Sequence, residues 1–343
     1  MGAPGRWVGL ALLCMGAAYG RVLTGPPVYE DAMSLRAVDT VTGQTLRGWL
    51  STGRALTRVS FDATYLIAGF SPVAYHTVNV VLHGVNGALV YRVGAALVGA
   101  PAAAVAASLF LLHPIQTESV SYMTGRSELL AACFTLLALW CALGPLTRWR
   151  GIGCLLCAVL AMASKETAAA VVVLAPLMVW ARRGDRQWYA LLALLPVVGL
   201  LHAQEALVGN TYVFAHPAGG FGYLAYQCAA LWRMIGLVVW PVGFTIDHDV
   251  LAWSRPVAVL GLAGVVAWLT LALVTLRRSR TVALCLLWPL IVVAPRGFIR
   301  IVEYLNEHQT LMPFIGLWWL IGMVTVQTAS RVPGMRTLRP VSA

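Results

Sequence analysis

Charge is what this sequence has least of. Across 343 residues, Asp, Glu, Lys and Arg together make up only 11%, against 59% hydrophobic residues. Soluble domains carry about 25% charged residues, so a soluble fold of this size would have to bury more apolar surface than its interior holds. Lysine is almost absent: of 24 basic residues only Lys165 is not arginine. Phosphate-cradling glycine loops, serine nucleophile elbows and HExxH zinc helices are missing as well. These absences exclude a soluble globular enzyme, a disordered chain, a nucleic-acid-binding module and the usual nucleotide chemistry. Cysteine is present, but all seven residues (Cys14, Cys133, Cys141, Cys154, Cys157, Cys228 and Cys285) lie inside apolar runs. They read as small helix-packing residues, and the Cys154/Cys157 pair within GIGCLLCAVL is no metal or redox motif in that setting.

What is there is apolar sequence in long blocks, with a mean hydropathy of +0.78. At about 20 residues per crossing, the apolar stock suffices for roughly ten transmembrane helices, which makes this an all-α polytopic membrane protein. Residues 1–23 read as an uncleaved first helix. Further spans are expected near 72–91, 93–112, 127–147, 151–163, 167–181, 187–203, 256–276, 281–295 and 309–326. Residues 24–71 form a long polar first external loop, a length that usually signals function and that has room for interfacial helices. The domain expected is thus 1–330, followed by a short basic tail at 331–343.

The net charge of +11 reports orientation first, because basic residues are retained in cytoplasmic loops. Arginines cluster at Arg92, at Arg148 and Arg150, at Arg182, Arg183 and Arg186, at Arg277, Arg278 and Arg280, and at Arg331, Arg336 and Arg339. Alternating spans put all of these on one side only if residues 223–240, with Arg233 at their middle, lie in the interface instead of crossing. Both termini are then cytoplasmic. On that accounting YED (29–31), HPIQTE (113–118), SKE (164–166), TIDHD (245–249) and NEH (306–308) all fall on the opposite face, as the rim of one site would.

The residues in these blocks have defined chemical options. Glu30 and Asp31 are adjacent carboxylates in a nearly uncharged chain; beside a bilayer one of them has the potential to act as a general base. His76, Asn79, His83 and Asn86 share one helical face, which must point into the bundle; interhelical hydrogen bonding is the simple account, and His76 is the candidate ligand. Arg126 heads a span, where the helix dipole disfavours a cation. It therefore needs an anion, either Glu118 or Glu128 or a substrate phosphate. Lys165 and Glu166 are ionisable residues at membrane depth, which suggests function or a structural ion pair. Glu307 and His308 precede the last span and either cap it or reach the site. Asp247-His248-Asp249 offers donors but does not by itself specify a metal, so no cofactor or metal site is assigned.

Five blocks in order resemble a known family: RALTRVSF (54–61), YHTVNVVLHGVNGALVY (75–91), HPIQTESVSYMTGRSELLA (113–131), SKETA (164–168) and NEHQTLMPFIGL (306–317). They are similar to the membrane half of the transmembrane and tetratricopeptide-repeat-containing O-mannosyltransferases and their bacterial relatives, of the GT-C class of polytopic glycosyltransferases. The likeness runs from about residue 27 to 320. It implies a GT-C-like fold and a polyprenyl-phosphate-linked sugar as donor. It further implies transfer with inversion to an acceptor hydroxyl, read here as a protein or glycan hydroxyl on the non-cytoplasmic face. The high Arg-to-Lys ratio suggests a GC-rich bacterial genome, and so a bacterial inner membrane. Glu30 and Asp31 match the family's acidic pair. Arg126 and Lys165 would hold the donor phosphate, and His113, Glu118, Glu166, Glu307, His308 and His76 would position substrate or those cations.

Three departures stand out. Where relatives read EHR, this chain has Glu307-His308-Gln309; where they read RPLTR it has Arg54-Ala55-Leu56-Thr57-Arg58; and no repeat domain follows the last span. Acceptor recruitment is then expected from the first loop or from a separate protein. The alternatives are a transporter or flippase of lipid-linked sugars, or a non-catalytic scaffold.

Overall fold

The computed structural model describes residues 3–28, 31, 54–145, 147–183, 219–245, 248, 253–298, 304 and 306–331. The expected span at 187–203, most of the first loop with Glu30, Asp247, Asp249 and the tail beyond 331 lie outside the described residues. Every regular element among the described residues is helical, and the all-α membrane architecture holds.

Twelve α-helices are described: α1 (Ala3–Ala18), α2 (Ala55–Ala68), α3 (Pro72–Leu97), α4 (Ala100–Leu112), α5 (Thr117–Ser121), α6 (Arg126–Leu143), α7 (Arg148–Met162), α8 (Val171–Arg183), α9 (Gly219–Val239), α10 (Arg255–Thr275), α11 (Arg280–Phe298) and α12 (Ile315–Ala329). Short 3-10 turns at Pro114–Gln116, Met123–Gly125, Glu166–Ala170 and Glu307–Thr310 connect them at the polar blocks.

Proline and glycine explain several boundaries. Pro72 opens α3 in the first turn, where its missing N–H costs nothing. The chain turns at Gly99, whose φ of 86° lies in the left-handed region that glycine tolerates, and Pro101 then sits in the first turn of α4. Thus α3 runs unbroken past Arg92, where the sequence suggested a boundary. Arg92 stays in the helix with its guanidinium 5.3 Å from the Trp140 ring centroid.

The core is a seam of small residues. Lipid offers no hydrophobic drive between spans, so helices associate where backbones approach closely. A Cβ at Gly87 would lie 2.3 Å from Leu111, one at Gly94 would lie 2.3 Å from Trp319 Nε1, and one at Gly322 would lie 2.2 Å from the Ala102 carbonyl. The Trp319 indole donates to Val90 O at 3.1 Å across the same seam. Helices α3, α4 and α12 therefore form one tight layer, with α6 packed against α3 and α7.

By length and composition five helices suffice to cross a bilayer: Pro4–Thr24, Pro72–Leu97, Met123–Leu143, Phe221–Val239 and Arg255–Thr275. A sixth arises if Ala100–Leu112 and Pro114–Ser121, bent by 55°, count as one. The expected number of ten is not reached among the described residues. Of residues 223–240, expected to lie in the interface, Tyr223, residues 225–231, Met234 and Leu237 are buried while Trp232, Gly236, Val239 and Trp240 are exposed; α9 packs along α10, where Gly261 admits the Ala229 backbone. The long Arg233 side chain reaches the Gly243 carbonyl beyond the helix end at 3.1 Å. The end of the last expected span differs too: residues 307–314 are 3-10 and turn structure, and α12 starts only at Ile315.

Candidate functional site

The segment from His113 to Glu128 is the hub onto which the other polar blocks fold. His113 ends α4 and caps the next turn: its Nδ1 accepts the Ile115 N–H at 3.2 Å, so Nε2 carries the proton donated to Val238 O at 3.0 Å. Its ring lies 5.0 Å from that of Trp318. Nδ1 of His113 thus caps the local turn while Nε2 joins α4 to α9.

Glu118, in the first turn of α5, accepts two hydrogen bonds from His308: the backbone N–H at 2.7 Å and the Nδ1 side at 3.1 Å. Ser119 donates to His308 O at 2.9 Å. The HPIQTE and NEH blocks, almost two hundred residues apart, are therefore one unit. The neighbouring Glu307 turns the other way. Its Oε1 accepts the Thr245 N–H at 3.1 Å and the His248 ring nitrogen at 2.9 Å, which brings in the TIDHD block. Burial acts to raise the Glu307 carboxyl, but the His248 and Thr245 hydrogen bonds outweigh it and hold the group below its ordinary value. Gln309, the residue that departs from the family pattern, accepts from Asn306 N at 3.1 Å and completes a capping box on this turn.

The acidic pair is represented by Asp31, which is fully buried. Its Oδ1 accepts the Thr124 N–H at 3.0 Å. Its Oδ2 accepts the Met123 N–H at 3.2 Å and the Val28 N–H at 3.3 Å. Burial pushes the carboxyl up, and the donors from Thr124, Val28 and Met123, with nearby His76, pull it only partly back. The ring of His76 packs against the Gly25 backbone, and neither of its nitrogens makes a hydrogen bond of good geometry. The rest of the α3 stripe does structural work: Asn79 reaches the 120–123 carbonyls, His83 lies against Leu111 O at 3.3 Å and Asn86 donates to Leu129 O at 2.9 Å.

Arg126 follows the turn that holds Asp31. It needs no anion at all. Its guanidinium donates to Asn79 Oδ1 (3.0 Å), Ser60 O (3.1 Å), Thr64 Oγ1 (2.9 Å) and Tyr75 O (3.0 Å). The Phe61 ring covers it at 4.4 Å and the Tyr75 ring at 5.2 Å. Four of its five N–H donors are spent on α2 and α3, and the side chain is fully enclosed. The side chain is thus enclosed between α2 and α3, beside the turn that holds Asp31.

Lys165 instead donates to Glu128 Oε1 at 2.6 Å, with both side chains almost completely buried. Glu166, its neighbour, pairs in two-pronged fashion with Arg54 at 2.8 Å and 3.1 Å. Burial acts to raise the Glu166 carboxyl, but Arg54 and Lys165 hold it down to about 2. Around this pair α2 docks on the SKE turn through Leu56 N to Ala163 O at 2.9 Å and Thr57 Oγ1 to Ser164 O at 2.8 Å. The partners Glu128, Arg54 and His248 lie in blocks the sequence had marked, yet nothing in a linear pattern pairs Lys165 with Glu128 rather than with adjacent Glu166. Among the described residues, no group of three or more His, Cys, Asp or Glu side chains is arranged to hold a metal ion.

A buried ion pair resists the loss of one member more than the loss of both. Lys165→Met should destabilise the protein by about 3–5 kcal/mol by stranding the Glu128 carboxylate. The double variant Lys165→Met/Glu128→Gln should recover most of that in thermal unfolding in detergent. Additive losses would mean that the pair is not coupled.

Fold and site together define a helical membrane protein whose polar blocks, scattered along the chain, meet around one hub. No family model matches the chain. Curated relatives do: it is 38% identical over 85 residues to Protein O-mannosyl-transferase TMTC3 of Mus musculus, covering 25% of this chain and 9% of that protein. It is 43% identical over 102 residues to Protein O-mannosyl-transferase Tmtc2 of Drosophila melanogaster (29% and 11%). It is 34% identical over 137 residues to Tmtc1 of the same fly (35% and 16%). The resemblance read from the motifs is thus shown by homology to O-mannosyl-transferases, over 25% to 35% of this chain. The matches span no more than 16% of the relatives' own length.

Proposed function

We propose that this chain is a GT-C-like glycosyltransferase of a bacterial inner membrane, with both termini cytoplasmic and the site facing the periplasm. It would take mannose or another hexose from a polyprenyl phosphate and transfer it, with inversion, to a protein or glycan hydroxyl. The observation that carries this reading is the fixed Asp31 carboxylate, held by two backbone N–H groups at the polar hub. Homology to named mannosyl-transferases supports the same activity.

In this mechanism Asp31 accepts the proton of the acceptor hydroxyl as its oxygen bonds to the anomeric carbon. The bond from that carbon to the phosphate oxygen breaks, and polyprenyl phosphate leaves with the electron pair. Glu30 is the neighbouring carboxylate of the same motif. Lys165 gives one of its three N–H donors to Glu128, and the other two are assigned to the leaving phosphate. Arg126 contributes a fixed positive charge from behind the turn. His113, Glu118, Glu166, Glu307, His308 and His76 would position substrate or those cations, the first five held by the hydrogen bonds already described. A lipid-linked donor suits the bundle because its carrier can enter from the bilayer.

One observation favours a second reading, a non-catalytic scaffold: Gln309 replaces a cation and is consumed in a capping box, while Arg126 and Lys165 already have protein partners. Purified protein given a polyprenyl-phosphate hexose and a hydroxyl acceptor separates the possibilities. Release of free polyprenyl phosphate matched by sugar on the acceptor is the expected result. Sugar-lipid crossing vesicles without release would identify a flippase instead. Neither activity, with no gain of donor binding in Gln309→Arg, would identify a scaffold.

A further inference from the structure

We propose that Asn79 is a positioning residue for Asp31, acting through the two peptide groups that lie between them. The inference rests on the reading of Asp31 as the base, and it gives a role in the reaction to a residue the sequence pattern marks only as helix glue.

Asn79 is fully buried near the N-terminal end of α3. Its Nδ2 donates to Tyr122 O at 3.0 Å and to Met123 O at 3.2 Å, with Val120 O further off at 3.4 Å. The first two carbonyls belong to the same peptide groups whose N–H ends bind Asp31. Tyr122 O and Met123 N are one peptide unit; Met123 O and Thr124 N are the next. Each unit is therefore gripped at its oxygen by Asn79 and at its nitrogen by Asp31, over 3.2 Å and 3.0 Å respectively. A hydrogen bond at a peptide oxygen polarises the group and strengthens donation from its N–H. It also fixes the plane of the peptide, and so the direction in which each N–H points.

The surroundings leave the turn little freedom. Arg126 Nε donates to Asn79 Oδ1 at 3.0 Å, which sets the amide with Nδ2 toward the carbonyls. A Cβ on Gly125 would lie 2.4 Å from Ser119 O, so the turn sits directly on α5. Among the described residues, the ionisable groups around Asp31 are His76 from α3 and, behind the turn, Arg126 at the head of α6. An amide at position 79 orients the carboxylate without adding a charge of its own.

Asn79→Asp keeps an acceptor for Arg126 and replaces the donor to the carbonyls with a repelling oxygen. Asn79→Leu removes the donor without adding a charge, so a shift shared by both isolates the effect from simple charge repulsion. In detergent-purified full-length chain, kcat should fall roughly 10²-fold, the cost typical of a small misplacement of a reacting group, with the donor KM within about twofold. The acid limb of the pH profile should move to higher pH, since the Asp31 carboxylate loses well-aimed donors. Asn79→Ser, which restores one donor, should recover part of both changes.

An infrared titration of the protonated carboxyl band, taken as the difference from Asp31→Asn, reads the same shift without turnover. Wild-type protein that transfers no sugar would therefore refute the function while leaving the coupling of Asn79 to Asp31 measurable. Wild-type kcat and an unmoved limb in Asn79→Asp would overturn the proposal. So would failure of all three variants to fold, which would make Asn79 a folding residue only.

Discussion

Asp31→Asn is expected to lower sugar transfer by about 10²–10⁴-fold, the usual contribution of a general base, in a protein that still elutes as a folded monodisperse species. The amide oxygen can take over the place of Oδ2, which receives Met123 and Val28, but the amide nitrogen then faces the Thr124 N–H, which donates to Oδ1 in the parent. One unsatisfied donor costs about 1–3 kcal/mol, a loss visible as a lower unfolding temperature and too small to unfold the chain. Activity and stability thus separate. A variant with unchanged transfer rates would remove Asp31 from the mechanism.

The pH dependence has a definite sign. Burial raises the Asp31 carboxyl above the usual aspartate range, and the donors from Thr124, Val28 and Met123 reverse that only in part. Only the carboxylate accepts a proton, so kcat/KM should climb with pH through this elevated value, and the acid limb should lie above that of an ordinary aspartate. For stability, a raised pKa means the folded chain keeps a proton that the unfolded chain has released. That contribution is present below the unfolded pKa and is lost as pH rises through the folded one. Both the limb and this slope should vanish in Asp31→Asn.

Arg126→Met should destabilise the hub by roughly 3–5 kcal/mol, the range for losing one member of a buried charged network. Methionine fills the volume but leaves Asn79 Oδ1, Ser60 O, Thr64 Oγ1 and Tyr75 O without their donor. It also removes the cation from between Phe61 and Tyr75. Since these groups tie α2 to α3 and α6, limited proteolysis should cut first near α2. Arg126→Lys should lie between the two, because an ammonium has three donors and no planar fork. The opposite outcome, full stability with loss of donor binding alone, would return Arg126 to the phosphate-contact role that its block in the sequence implied.

The contrast between Arg126 and Lys165 shows where linear reading stops. Both were recognisable as costly cations in apolar surroundings, and both do have partners. For Arg126 those partners are a carbonyl from α2, another from α3, and two side chains, none of which a charge count would nominate. For Lys165 the partner is Glu128, 37 residues away, in preference to the carboxylate next door. Adjacent residues on an extended backbone point to opposite sides, and Lys165 has φ −158° and ψ 141°, so Glu166 is directed outward to Arg54. Arg233, a cation inside an apolar run, likewise finds a partner that no linear pattern nominates, the Gly243 carbonyl past the helix end.

Sequence alone established the class of molecule, since 11% charge and 59% apolar residues leave only a helical membrane bundle open. It also marked Asp31, Glu118, Glu128, Lys165, Glu166, Glu307 and His308 as residues of one region, because polar groups in such a chain must congregate to be satisfied. Only the tertiary structure decided who satisfies whom. Hydrogen bonds and ion pairs form over about 3 Å, whereas sequence patterns report faces and sides at the scale of a whole helix. The geometry that turns Asp31 into a fixed carboxylate, with two peptide groups held between it and Asn79, exists only once α3, α5 and α6 have packed.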